Sequence, residues 1–184
     1  MNRRVILFVA LLSFALSLGT AKCSDTKSGW EEIGIRMGIQ AAPKNEYFHR
    51  YDVFAVYKLP WDWRSPSGWG VAPQLETSLG ALYTSAETGF ISSVGAGLTF
   101  GKTGFNLTPE LGVGLHLMDR SHFGKQDFGS ILLWEAHLGL SYRFDCGLGI
   151  GYRIQHMSNN RILYSSNTPN PGVDMHMISV SWHF

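Results

Sequence analysis

From Trp30 to the C-terminus the chain repeats with a period of two. Leu132, Trp134, Ala136, Leu138, Leu140, Tyr142 and Phe144 fall on one face of an extended backbone, and Glu135, His137, Ser141 and Arg143 on the other. The same alternation carries Ile33, Ile35, Met37 and Ile39; Leu75, Thr77, Leu79, Ala81 and Tyr83; Phe90, Ser92, Val94, Ala96, Leu98 and Phe100; and Leu111, Val113, Leu115 and Leu117. A weaker strand is expected at about 48–59, and two more at 147–158 and 174–184, which makes eight. Between them stand turn signals such as Pro43-Lys44-Asn45, Pro66-Ser67-Gly68, Glu87-Thr88-Gly89 and Asp145-Cys146-Gly147. No stretch after Trp30 carries the i, i+3, i+4, i+7 stripe of an amphipathic helix, so the chain is expected to be all-β.

Residues 1–21 read as an address rather than structure. Arg3 and Arg4 precede an apolar run from Val5 to Leu18, and Gly19 and Ala21 supply the small residues of a processing site. This is the pattern of a secretory signal peptide removed after Ala21, and the run is too short for a permanent membrane helix. Residues 22–29 are polar and are expected to form a loose entry, with one domain over 30–184. Lys and Arg total 15 against 14 Asp and Glu, so the chain has no basic excess with which to bind nucleic acid. Cys23 and Cys146 are too few for a disulfide framework or a four-ligand metal site; a single bridge between them is the most they allow.

Alternation suits both a soluble sandwich, apolar face inward, and an outer-membrane barrel, apolar face outward. Three features favour the barrel. Aromatics cluster at strand ends (Trp30, Trp69, Tyr83, Phe100, Phe144, Trp182, Phe184), as interfacial girdles do. The opposite face carries Glu110, Glu135, Arg143 and Arg153, which pair readily across a small barrel and are costly in a dry sandwich core. The chain also ends on Phe184 with Trp182, Val180 and Ile178 alternating behind it, like the terminal strand of bacterial barrels. The expectation is an eight-stranded antiparallel transmembrane β-barrel of the bacterial outer membrane, with both termini periplasmic and the longest external loop at 159–173.

That loop joins the two strands richest in chemistry. Alternation places His156 and Ser158 on the face marked outward by Tyr152 and Ile154, and Asp174 and His176 on the face marked outward by Ile178 and Val180. Because the loop reverses the chain, the end of one strand lies beside the start of the next, and Asp174 comes within reach of His156. A serine, an imidazole and a carboxylate are the parts of a nucleophilic esterase: the imidazole takes the hydroxyl proton and the carboxylate holds its tautomer. A polar cluster facing hydrocarbon also needs a reason, and an enzyme acting on a membrane lipid supplies one. On spacing alone His-x-Ser is not a specific motif and the reading of His156 and Ser158 as rim residues among headgroups is the favoured one; His176 stands as a second candidate base or a support for Asp174. His116 and His137, near Glu110 and Glu135, read as members of an interior polar network.

The stretch Arg153-Ile154-Gln155-His156-Met157-Ser158-Asn159, followed by Asn170-Pro171-Gly172-Val173-Asp174, resembles the PagL-like lipid A 3-O-deacylases, eight-stranded outer-membrane barrels of Gram-negative bacteria. The resemblance implies an esterase that removes the acyl chain at the 3 position of lipid A, with Ser158 as nucleophile, His156 as general base and then acid, and Asp174 as the orienting acid. It implies a role for Asn159, and more weakly for Gly172, at the oxyanion, and it requires neither metal nor organic cofactor. Arg161 reads either as a contact for a lipid A phosphate or as a solvated side chain. Two departures stand out: Asp174 occupies the place of a usual Glu, and Asn160 and Arg161 follow where small residues are the rule. The partner is lipid A, or lipopolysaccharide, in the outer membrane, and an exposed catalytic face leaves room for a homodimer. The competing expectations are a non-enzymatic barrel for adhesion, anchoring or small-solute passage, and a phospholipase or general esterase on the same scaffold.

Overall fold

A computed structural model describes residues 22–25, 29–42, 45–159 and 172–184, so the expected signal peptide and Arg161 lie outside the described residues. Eight long strands form the body: β1 (Gly29–Gln40), β2 (His49–Lys58), β3 (Trp69–Tyr83), β4 (Thr88–Lys102), β5 (Leu107–Met118), β6 (Leu132–Arg143), β7 (Leu148–Ser158) and β8 (Val173–His183). Each pairs antiparallel with its neighbour in sequence, and β8 pairs with β1, from Met175 opposite Gln40 to His183 opposite Glu32. The sheet therefore closes on itself and leaves no free edge in the wall.

Burial separates a sandwich from a membrane barrel. The apolar alternates are the exposed ones, with Leu138 at 65% and Ile35, Val53, Leu79, Val94, Val113 and Ile178 similarly open. The polar alternates are the buried ones: Arg36, Arg50, Asp52, Ser78, His116, Glu135, Arg153 and Gln155 all point into the lumen. A soluble protein arranged this way would expose a continuous apolar belt to water and bury its charges, whereas hydrocarbon outside and paired charges inside satisfy both faces.

Charge pairs cross the lumen, and an open cavity of about 380 Å³ lies toward the end nearer the termini, lined among others by Glu32, Glu110, Arg143 and His183. Glu76 receives Arg36 at 2.9 Å and Arg153 at 3.0 Å. Glu135 lies between His116 at 2.6 Å and His137 at 2.8 Å. Arg50, fully buried, reaches Asp52 at 2.8 Å, His116 at 3.3 Å and the Met157 sulfur at 3.4 Å. At the end away from the termini an apolar plug closes the barrel: the rings of Phe48, Phe123 and Phe128 meet at centroid distances of 5.5 to 6.0 Å, packed with Leu82, Ile91, Met118, Leu133 and Met175.

Two local features depart from expectation. The entry at 22–29, read as loose, forms a strand over Lys22–Asp25 that pairs with Trp61–Arg64. The connection between β2 and β3, marked in the sequence only by the turn signal Pro66-Ser67-Gly68, folds back so that Trp63 and Arg64 pair with Val71 and Gly70 at the base of β3. Backbone pairing satisfies these peptide groups whatever the polarity of the side chains, so composition did not reveal it.

Candidate active site on the outer wall

Strand β7 is fixed from inside the barrel. Its inward alternates Arg153, Gln155 and Met157 are all buried, and each is held by a different strand: Arg153 by Glu76 of β3, Gln155 by His116 of β5 at 3.3 Å, and Met157 by Arg50 of β2. A slip by one residue would drive the Arg153 guanidinium into lipid, so the register of the outward alternates is strongly specified. Those alternates are Tyr152, Ile154, His156 and Ser158.

His156 stands directly opposite Asp174 of β8, and the two side chains meet at 2.6 Å between Nδ1 and Oδ1. An ionised carboxylate only accepts, so Nδ1 is the donor of this bond, and in the neutral imidazole that leaves the Nε2 lone pair free. Both groups remain accessible, at 52% and 44% exposure, and they lie on the apolar wall rather than in the lumen. Ser158 ends β7 two residues further toward the rim, its Cα about 6.6 Å from that of His156 by strand rise. It is 7% exposed and sits opposite Trp134 of β6, whose ring faces outward. Cross-strand partners point to the same side of a sheet, so the hydroxyl shares the outer face with Trp134.

Gly172 and Asn159 flank this group. Gly172 has φ +59°, and a Cβ there would come within 3.0 Å of His156 Cε1 and 3.5 Å of Nε2, so its backbone lies against the edge of the imidazole. Asn159 is buried, with its carboxamide donating to the Phe128 carbonyl at 2.8 Å, which ties the end of β7 to the loop before β6. His176 is placed differently from both roles considered for it: its Nδ1 hydrogen-bonds the Tyr152 hydroxyl at 2.6 Å, and the two rings lie nearly parallel. Tyr152 and Trp134 were not singled out from the sequence as site residues. The diagonal from Tyr152 to His176 follows only from register, since Tyr152 pairs with Ile178 and Ile154 with His176. Among the described residues no group of three or more His, Cys, Asp and Glu is placed to hold a metal ion.

A closed barrel with an apolar outer wall and charges inside defines an integral outer-membrane protein, and this one carries a hydrogen-bonded His–Asp pair on its outer wall. Comparison with known proteins is specific on this point. Residues 49–183 match the family described as lipid A 3-O-deacylase (PagL), and the chain belongs to that family. Among solved structures, the crystal structure of the outer membrane enzyme PagL shares 17% identity, with 83% of this chain and 99% of that one covered at a TM-score of 0.69. The N-terminal β-barrel domain of Pseudomonas aeruginosa OprF (14% identity, 89% and 100% covered) and Neisserial surface protein A (15%, 86% and 100%) both reach a TM-score of 0.50. At these identities the structures show the shared barrel alone. No curated protein matches the chain.

Proposed function

We propose that this protein is a lipid A 3-O-deacylase of the outer membrane that works by serine ester hydrolysis, with both termini in the periplasm and the catalytic rim at the cell exterior. Ser158 Oγ attacks the carbonyl carbon of the acyl ester while His156 Nε2 takes its proton. Asp174 stabilises the resulting imidazolium through Nδ1. The tetrahedral intermediate collapses as His156 returns the proton to the departing glucosamine 3-oxygen, leaving the acyl chain on Ser158. Water, activated by the same imidazole, attacks the acyl-enzyme; the fatty acid leaves and the proton goes back to Oγ. Asn159 and the backbone at Gly172 are the candidates for stabilising the oxyanion, and Arg161 for meeting a lipid A phosphate.

The observation that carries this reading is the 2.6 Å contact between His156 and Asp174 on the lipid-facing wall. Two exposed polar groups in that place are expensive unless they serve a lipid substrate. The test is mass spectrometry of lipid A from outer membranes bearing the native protein or Ser158→Ala. Loss of one 3-linked hydroxyacyl chain is expected with the native protein alone. An unchanged lipid A profile with correctly folded native protein would refute the reading and favour a non-enzymatic barrel or another lipid ester.

A further inference from the structure

The lipid-facing wall carries a second hydrogen-bonded pair, which the chemistry above does not use. Tyr152 Oη and His176 Nδ1 lie 2.6 Å apart, with their rings nearly parallel. The pair is set among aliphatic side chains. In the strand register Tyr152 lies between Leu140 and Ile178, and His176 between Ile154 and Ile39, with Leu138 and Met37 one strand further out. All six are exposed on the outer face. The pair therefore sits within the apolar belt, where an open hydrogen-bonding group finds no water to satisfy it.

A phenol and a neutral imidazole have one hydrogen each to donate, and the bond between them uses one. If the phenol donates, Nε2–H and a lone pair of Oη are left over; if Nδ1 donates, Oη–H and the Nε2 lone pair are left over. Neither side chain makes another hydrogen bond among the described residues. In either tautomer the pair thus presents one open donor and one open acceptor. A carbonyl oxygen answers only the donor, whereas a hydroxyl answers both. Depth says where that hydroxyl is carried. His176 follows Asp174 by two residues on β8, about 7 Å along the strand and, at a tilt of about 40°, about 5 Å deeper in the membrane. The sugar and phosphates of a lipid whose ester lies at Ser158 are on the rim side of that ester, so an oxygen at the deeper level belongs to an acyl chain. A hydroxyl on the third carbon of a chain is three bonds, or about 4 Å, from its carbonyl carbon, which matches the step.

We infer that Tyr152 and His176 bind a hydroxyl carried near the head of an acyl chain of the lipid substrate, and so make the enzyme selective for hydroxyacylated lipid. The inference rests on the deacylase reading above and names a specificity site for it. Neither residue touches the reacting bond; a contact remote from that bond serves to hold the right lipid in place over it.

The test uses four synthetic diacylated glucosamine phosphates, carrying decanoyl or 3-hydroxydecanoyl chains at positions 2 and 3 in every combination, with the folded protein in vesicles. The native protein should cleave a hydroxylated analogue with kcat/KM about five- to tenfold above the analogue without hydroxyls, the scale of one net hydrogen bond. The combination that shows the preference identifies the chain that is held, the scissile one or its neighbour. Tyr152→Phe and His176→Phe should each lower this ratio, and the double variant should bring it to about one. A merely structural role would lower all four rates together and leave the ratio at its native value, so a double variant that keeps the native ratio overturns the inference. Cleavage of all four analogues alike by the native protein overturns it as well, with the deacylase reading intact. A native protein that cleaves none of the four overturns the deacylase reading and the inference with it.

Discussion

Replacing Gly172 by alanine tests the site's geometry more sharply than deleting a catalytic group. The residue sits at φ +59°, a left-handed conformation that costs a side chain about 1–2 kcal/mol. The added Cβ would also lie 3.0 Å from His156 Cε1 and 3.2 Å from the Met157 carbonyl oxygen. Ordinary carbon contacts are about 3.5–4.0 Å, so the imidazole or the start of β8 must give way by about 0.5 Å. A misplacement of about 1 Å costs on the order of a hundredfold in rate, so half of that predicts about tenfold in kcat. KM should change little, because Gly172 touches the imidazole and not the wall along which lipid chains lie. Gly147→Ala provides the comparison: it too has positive φ, +90°, and its Cβ would meet the His183 carbonyl at 3.2 Å, but it lies at the opposite end of the barrel. Both variants are assayed as folded protein for deacylation rate and for urea midpoint in vesicles. Both should lose stability, and only Gly172→Ala should lose rate. Full rate in Gly172→Ala, or an equal rate loss in Gly147→Ala, would show that the contact with His156 does not govern the chemistry.

Asp174→Glu lengthens a side chain that already meets His156 at 2.6 Å; kcat should fall severalfold, and an unchanged or higher kcat would show that the strand ends adjust freely. Asp174→Asn removes the charge that fixes the tautomer and should lower kcat by about 10³–10⁴ with the fold intact, read by single-turnover release of fatty acid. Glu76→Gln leaves Arg36 and Arg153 sharing a neutral partner inside the barrel, and should lower stability by about 3–5 kcal/mol in urea unfolding. Leu138→Arg puts a charge on the exposed outer wall and should cost about 2–4 kcal/mol in a bilayer; a neutral effect would mean that this face does not meet hydrocarbon.

The alternation of Leu132 through Phe144, and its recurrence in other segments, was enough to number the strands and to place His116, Glu135 and Arg153 on one side and Leu138, Ile154 and Ile178 on the other. Side-chain direction in a strand is a local property with a period of two, so it can be read without knowing what the strand pairs with. The same rule put His156, Ser158 and Asp174 on a common face. The pairings of Lys22–Asp25 and Trp61–Arg64 could not be read this way, because a backbone ladder leaves no mark on polarity. Which face met lipid was also undecided by alternation, and was settled by closure: once β8 pairs with β1, one face has nowhere to go but the lumen, and the charges occupy it. Register between strands belongs to the tertiary structure for the same reason. The cross-strand alignment of His156 with Asp174, the diagonal from Tyr152 to His176 and the approach of Gly172 to the imidazole all depend on how far one strand is shifted against the next. That shift is set by the ion pairs and packing inside the barrel, between residues distant in the chain.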